Sequence, residues 1–128
     1  MNHYLFHVYH EENKSWYSTL ALQRREIPGM SRILAEIVKD NPGERYLNNA
    51  RHLQRRLEEQ EAHIQEISKK IEAQQEKLRL EEAAAAKENF SSLDTLYGQE
   101  ALRDEVLQFE KGFLDFKQNF HRYLLTML

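Results

Sequence analysis

The chain has 128 residues, a formal net charge of −3, no cysteine, four glycines and two prolines. This length predicts one domain, and 30% charged residues with so little Gly and Pro are typical of long helices. The absence of cysteine excludes a disulfide framework and a Cys-ligated metal site. The first residues lack the basic start and apolar run of a secretion signal, and no apolar run approaches the ~20 residues that span a bilayer. We therefore expect a cytoplasmic protein without membrane contact.

The first predicted helix covers about residues 2–39 and carries a stripe of residues at alternating spacings of three and four. The residues 40–43, Asp-Asn-Pro-Gly, predict its end because Pro and Gly terminate helices. Pro28 lies inside the pattern and cannot donate to the carbonyl of Arg24, which predicts a kink at Pro28-Gly29 or two helical pieces. The stripe comprises Phe6, Tyr9, Asn13, Trp16, Leu20, Gln23, Ile27, Met30, Leu34 and Ile37.

Two further helices show the same spacing. The second is predicted at about residues 44–87, where one Ile and Leu face runs through a segment rich in Glu, Gln and Lys. The third is predicted at about residues 99–128, after a segment 89–98 whose apolar residues leave the pattern. This segment is predicted to be a loop with a short helical turn, for which Ser91 and Ser92 are suitable caps. The second stripe comprises Tyr46, Ala50, Leu53, Leu57, Gln60, Ile64, Ile67, Ile71, Gln74, Leu78, Glu81 and Ala85, and the third comprises Leu102, Val106, Phe109, Phe113, Phe116, Phe120, Tyr123 and Met127.

Three such helices with short connections predict an all-α fold, an antiparallel up-down-up three-helix bundle with coiled-coil packing. Counting outward from the turns places Ile67 near Phe116 and the end of the third helix opposite about Leu57. The tip of the first helical hairpin then exposes a contiguous apolar stripe, which marks an interface. We expect a homodimer that buries this stripe. Its predicted interface residues are Ile27, Met30, Leu34, Ile37, Tyr46, Ala50 and Leu53.

A few stripe positions carry polar side chains instead of apolar ones. Gln23 and Gln60 are expected in one layer, within reach of the hydroxyl of Tyr123. A buried polar layer fixes the register of packed helices more often than it forms a binding site. Asn13 and Gln74 are candidates for the same role one or two turns away.

Three histidines near the start of the chain are candidate metal ligands. His3, His7 and His10 lie on one face of the first helix, and imidazoles at this spacing can bind zinc, copper or nickel. A bundle that binds a metal or small ligand is therefore one alternative, set against solvated histidines that flank the stripe. The sequence has no Glu-x-x-His pair of a di-iron bundle and no Gly-rich phosphate loop. We expect no enzymatic activity and no cofactor.

Charge is distributed unevenly along the chain. Residues 24–56 contain eight Lys and Arg against four Asp and Glu, whereas acids outnumber basic residues from Leu57 onward. Association of this basic hairpin tip with nucleic-acid phosphates is a second alternative. However, no aromatic platform or groove-reading motif accompanies the cations, which makes nucleic acid a weaker expectation than the acidic part of a second copy of this chain.

Three segments follow one another in a suggestive order: HEENKSW at 10–16, RILAEIV at 32–38, and FEKGFLDFKQNFHRYL at 109–124. They resemble a group of small uncharacterised bacterial helical proteins, in which a His-Glu-x-x-x-x-Trp helix opens a helical hairpin and a Phe-rich helix closes the chain. The resemblance covers most of the chain and departs from the group at Pro28-Gly29. It implies the helical fold but no activity, ligand or catalytic residue.

The sequence therefore favours a non-enzymatic interaction or scaffold protein that acts through helical faces. Its expected partner is a second copy of the chain or another helical protein.

Overall fold

The computed structural model describes residues 3–88 and 93–126. It contains three helices, α1 (His3–Asp40), α2 (Glu44–Glu88) and α3 (Leu93–Thr126). α1 and α2 form an antiparallel hairpin, and α3 returns antiparallel to α2, which confirms the all-α three-helix bundle. The predicted helix ends at residues 2 and 128, and the stripe residue Met127, lie outside the described residues.

The first helix continues through its internal proline. α1 is one helix from His3 to Asp40, so the alternative of two separate pieces is wrong, while a bend at Pro28 stays a prediction. At its end, the backbone N–H and the side-chain amide of Asn41 both donate to the carbonyl of Ile37, at 2.9 and 3.0 Å. These bonds satisfy a carbonyl that the helix leaves without an intrahelical donor, directly before Pro42.

The predicted stripes form the core. Leu20 of α1, Ile67 of α2 and Val106 of α3 are each 0% exposed, and each such side chain contributes about 1.5–3 kcal/mol on burial. A smaller cluster closes the end of the bundle that lies away from the hairpin tip. The main cluster contains Leu20, Ile27, Leu34, Ala50, Leu57, Ile64, Ile67, Ile71, Leu102, Val106, Phe109, Phe113, Phe116 and Phe120, and the smaller one contains Phe6, Tyr9 and Leu78.

The third helix begins six residues earlier than predicted, at Leu93. The loop predicted at 89–98 is therefore wrong over residues 93–98, while 89–92 lie outside the described residues. Thr95 and Gln99 are buried and continue the stripe at the same spacing. Because both side chains are polar, an apolar pattern does not detect this first part of α3.

α3 also lies further towards the hairpin tip than the sequence count predicts. The Phe109 ring packs edge-on against the His63 ring, with centroids 5.0 Å apart, and the Arg56 guanidinium lies 5.4 Å from the centroid of Phe116. The sequence count instead placed Phe116 near Ile67, which lies about three helical turns from Arg56 along α2. The count was wrong because α3 starts earlier than expected and because the amides of Gln74 and Gln99 meet, which sets the register of α2 against α3.

A glycine in the middle of α3 offers a direct stability test. Gly112 is exposed, and a Cβ added there meets no atom within 4 Å. Gly112→Ala should therefore raise the free energy of unfolding by about 0.5–1 kcal/mol, because alanine loses less chain entropy in a helix. Denaturant unfolding checks this. Gly98→Ala is the matched control. Its Cβ would lie 3.0 Å from Oε1 of Gln74, so this variant should gain less free energy of unfolding. An unchanged midpoint for Gly112→Ala would contradict the expectation.

Candidate functional site

The structure does not form the hydrogen-bonded layer predicted at Gln23, Gln60 and Tyr123. The side-chain oxygen of Gln23 and the hydroxyl of Tyr123 are buried with no hydrogen-bond partner among the described residues. Burial raises the pKa of Tyr123, and the neighbouring Tyr46 raises it further. Tyr123 does not join Gln23 and Gln60 because the shift of α3 places it near Tyr46, at the hairpin tip.

A cluster of amides instead joins all three helices at the opposite end of the bundle. Gln99 of α3 is 0% exposed; its Nε2 donates to Oδ1 of Asn13 at 2.8 Å, and Nδ2 of Asn13 donates back to Oε1 of Gln99 at 3.3 Å. Nε2 of Gln74 donates to the same Oε1 at 3.2 Å and to the carbonyl of Thr95 at 3.0 Å. The sequence identified Asn13 and Gln74 but missed Gln99, which its spacing of seven from Val106 would have revealed.

An ion pair extends this amide cluster towards solvent. Arg103 donates two hydrogen bonds to the carboxylate of Glu12, both at 2.7 Å, and Gln99 donates a third at 2.8 Å. Partial burial raises the pKa of Glu12, but the hydrogen bonds from Arg103 and Gln99 and the charge of Arg103 outweigh it, so the pKa lies below its ordinary value. Since these polar groups bind one another, the cluster favours a structural role that sets the register of the three helices.

The Glu12 pair predicts a pH dependence of stability. A carboxyl whose pKa is lowered by folding stabilises the protein above its ordinary pKa of 4.5, and this contribution is lost as the pH falls through the lower folded pKa. The melting temperature of Glu12→Gln should therefore be lower than that of the wild type at neutral pH, with a difference that shrinks below pH 4.5. Glu76→Gln is the control: Arg79 also lowers the pKa of Glu76, but this pair is exposed and lies within one helix, so its effect should have the same sign and be much smaller. A Glu12→Gln difference that persists unchanged into acid would contradict the assignment.

The structure does not bring the three predicted metal ligands to one point. His3 and His7 are exposed, and His10 is half-buried with its Nδ1 2.7 Å from Oε1 of Gln75. The nearest carboxylate is that of Glu82, whose two oxygens lie 3.7 Å from His10 and 4.0 Å from His3. Across residues 3–88 and 93–126, no group of three His, Cys, Asp or Glu is placed to hold a metal ion. The metal-binding alternative therefore gains no support from these histidines.

The apolar stripe predicted as a dimer interface is largely covered within one chain. Ile27, Leu34 and Ala50 are at most 4% exposed, and Tyr123 and Leu124 of α3 pack against the core cluster that contains them. The expected exposure was wrong because α3 reaches the tip. Homodimerisation itself stays a prediction, which light scattering tests. The remaining predicted interface residues are half-buried Met30, Ile37 and Leu53, and Tyr46, which is 37% exposed.

An open cavity of about 320 Å³ lies between α1 and α2 near the hairpin tip. Only residues of these two helices line it, and it lies on the face of the α1–α2 hairpin opposite to α3. Two further cavities, of about 410 and 440 Å³, continue the depression between α1 and α2 towards the other end. Ligand pockets range over about 300–1,000 Å³, so the space is sufficient for inserted side chains. We call the first cavity the tip groove; its lining residues are Ser31, Leu34, Ala35, Val38, Leu47, Ala50, Arg51 and Gln54.

Five exposed cations lie in or next to the depression at the tip groove, and we call them the cationic rim. Arg51 lines the groove itself and Arg25 lines the adjoining cavity, while the other three are sequence neighbours of residues that line the groove. Seven-residue spacing places three of them on one face of α1, and the two on α2 are one turn apart. None has an ion-pair partner among the described residues, whereas the neighbouring Arg24 binds Glu61 at 3.5 Å. Three carboxylates, Glu36, Glu44 and Glu58, share these outward faces, so five cations against three carboxylates leave the rim net positive by two. The rim consists of Arg25, Arg32, Lys39, Arg51 and Arg55.

Comparison with known proteins finds no matching family, no matching curated protein and no matching solved structure. The resemblance to small bacterial helical proteins therefore stays a prediction. In the part of the chain that the structure describes, no helix combines the length and the apolar character that crossing a membrane requires.

Proposed function

We propose that this chain is a non-enzymatic interaction or scaffold protein that binds a helical partner through the depression between α1 and α2. The observation that carries the proposal is the tip groove, an apolar cavity bordered by cations without ion-pair partners. Exposed apolar surface bordered by polar residues marks interaction sites on soluble proteins. The partner class is a second copy of the chain or another helical protein.

The distribution of polar groups supports an interaction role over a catalytic one. Two carboxyls of the described residues have a lowered pKa, and both already have partners: Glu12 accepts hydrogen bonds from Arg103 and Gln99, and Glu76 accepts them from Arg79. A catalytic acid or base is instead expected to face a cleft where it can reach a substrate. The tip groove offers apolar contacts and positive charge, which recognise a surface without transforming it.

Affinity capture from the native cells tests this proposal. The bait is the full chain as wild type, as the groove variant Arg32→Glu with Arg51→Glu, and as the control variant Arg45→Glu with Lys111→Glu. The control makes the same change in net charge at exposed residues that do not line the groove. We expect a partner that the wild type and the control retain and the groove variant loses. Identical captures by all three, or no specific capture by any, would contradict the proposal.

A further inference from the structure

We infer that the tip groove binds an acidic amphipathic α-helix of another protein. This inference rests on the proposed function and names the chemistry of the partner. Its basis is the combination of an apolar cavity with cations on both of its borders.

The shape of the groove fits a helix. A groove between two antiparallel helices is the position that an additional helix occupies when a bundle gains a member. Arg25 and Lys39 are 14 residues apart, so the rim on α1 extends about 21 Å at 1.5 Å per residue. A partner helix of about four turns spans this length. Apolar side chains at positions i, i+3 or i+4, and i+7 of that helix would enter the cavity, as in other helix-in-groove complexes.

The charges select an acidic partner. Arg51 lines the cavity on α2, and on α1 the exposed Arg32 follows the lining residue Ser31, so carboxylates on both sides of a partner's apolar stripe would each lie near a cation. Arginine binds carboxylates with two parallel hydrogen bonds, which adds direction to the attraction. Carboxylates supplied by the partner would also neutralise cations that have no ion-pair partner in the described part of the chain.

The floor of the groove argues against a nucleic acid as the occupant. Leu34, Val38 and Leu47 line the cavity, and a phosphate backbone would leave these apolar side chains uncovered. A second copy is also a poor fit, because the core stripes of the folded chain are already buried. The exposed leucines of α3, Leu107 and Leu114, share their surroundings with Lys111 as well as with Asp104 and Asp115, so this face is not the uniformly acidic helix that the rim would favour.

The test is a titration of the full chain, labelled with ¹⁵N, with three synthetic helical peptides of about 18 residues. The first carries Leu at i, i+3, i+7 and i+10 between rows of Glu. The second replaces every Glu by Lys, and the third replaces every Leu by Asn. We expect the acidic Leu peptide to shift the amide signals of residues 31–38 and 47–54. The other two should bind at least about tenfold more weakly, and the affinity of the first should fall as salt rises.

Matched variants connect binding to the cationic rim. Arg32→Glu with Arg51→Glu should weaken binding of the acidic Leu peptide at least about tenfold, because two attractive contacts become repulsive. Arg45→Glu with Lys111→Glu should leave the affinity within about twofold of the wild type. Thermal melting of both variants establishes that each is folded at the temperature of the titration.

Several results would overturn the inference. These are equal binding of the acidic and basic peptides, signal shifts confined to other residues, or affinity that survives Arg32→Glu with Arg51→Glu. A random DNA duplex that shifts the same amides more strongly would assign the groove to nucleic acid, and self-association lost in that variant would assign it to a second copy. A captured partner that needs the groove but is not displaced by the acidic Leu peptide rejects this inference alone. A lack of any groove-dependent partner rejects the proposed function instead.

Discussion

Replacing Gln99 by Leu is expected to lower the free energy of unfolding by about 3 kcal/mol. The side chain is fully buried and hydrogen-bonded to Asn13, Gln74 and Glu12. Leucine leaves these partners without their bonds, and each buried polar group left unpaired costs about 1–3 kcal/mol. Denaturant unfolding followed by circular dichroism measures the change. The exposed residue of the same type on α3, Gln118, provides the control, since Gln118→Leu should change stability by less than about 0.5 kcal/mol.

A triple variant separates the cost of broken hydrogen bonds from that of lost packing. With Asn13, Gln74 and Gln99 all replaced by Leu, few amides remain unpaired, and stability should recover most of the loss seen for Gln99→Leu alone. If Gln99→Leu lies within about 1 kcal/mol of the wild type, the amide cluster does not hold the three helices in register.

Replacing Phe113 by Ala should destabilise the protein by about 3–5 kcal/mol, through lost burial and the cavity left behind. Phe113 is 1% exposed, stacks on Phe109 with centroids 5.7 Å apart, and has the Lys117 ammonium 5.4 Å from its ring centroid. Its neighbour Leu114 is 52% exposed, so Leu114→Ala should cost less than about 1 kcal/mol. Both values come from the same unfolding measurement. Equal losses at the two positions would show that α3 is rotated relative to the assigned core.

The sequence predicted the core well because burial in a helical bundle repeats with a fixed spacing. Alternation of three and four identified Leu20, Ile67 and Val106, each of which is 0% exposed. The same spacing failed at the start of α3, where Thr95 and Gln99 hold stripe positions. The spacing of seven from Val106 marks Gln99 as a stripe position, but only its partners on α1 and α2 show why a polar side chain is buried there.

The candidate site could be predicted only in part. The excess of positive charge over residues 24–56 is visible in the sequence. The sequence does not show which of these cations lack ion-pair partners. In the structure, Arg24 is paired with Glu61 and the guanidinium of Arg56 lies over Phe116. The groove itself depends on the side of the α1–α2 hairpin that α3 occupies. The spacing of the stripe residues does not specify that side. Contacts next to the stripe, such as the ion pair of Lys70 with Glu105, distinguish the two arrangements.

The central claim is that α3 packs along one side of the α1–α2 hairpin up to its tip and leaves the tip groove open on the other side. Nuclear Overhauser contacts between side chains test it most directly. The structure predicts strong contacts between the rings of His63 and Phe109, whose centroids are 5.0 Å apart, and none between the methyl group of Ala35 and any side chain of α3. Contacts from Ala35 to the rings of Phe116 or Phe120, or from His63 to Phe120 in place of Phe109, would contradict the account.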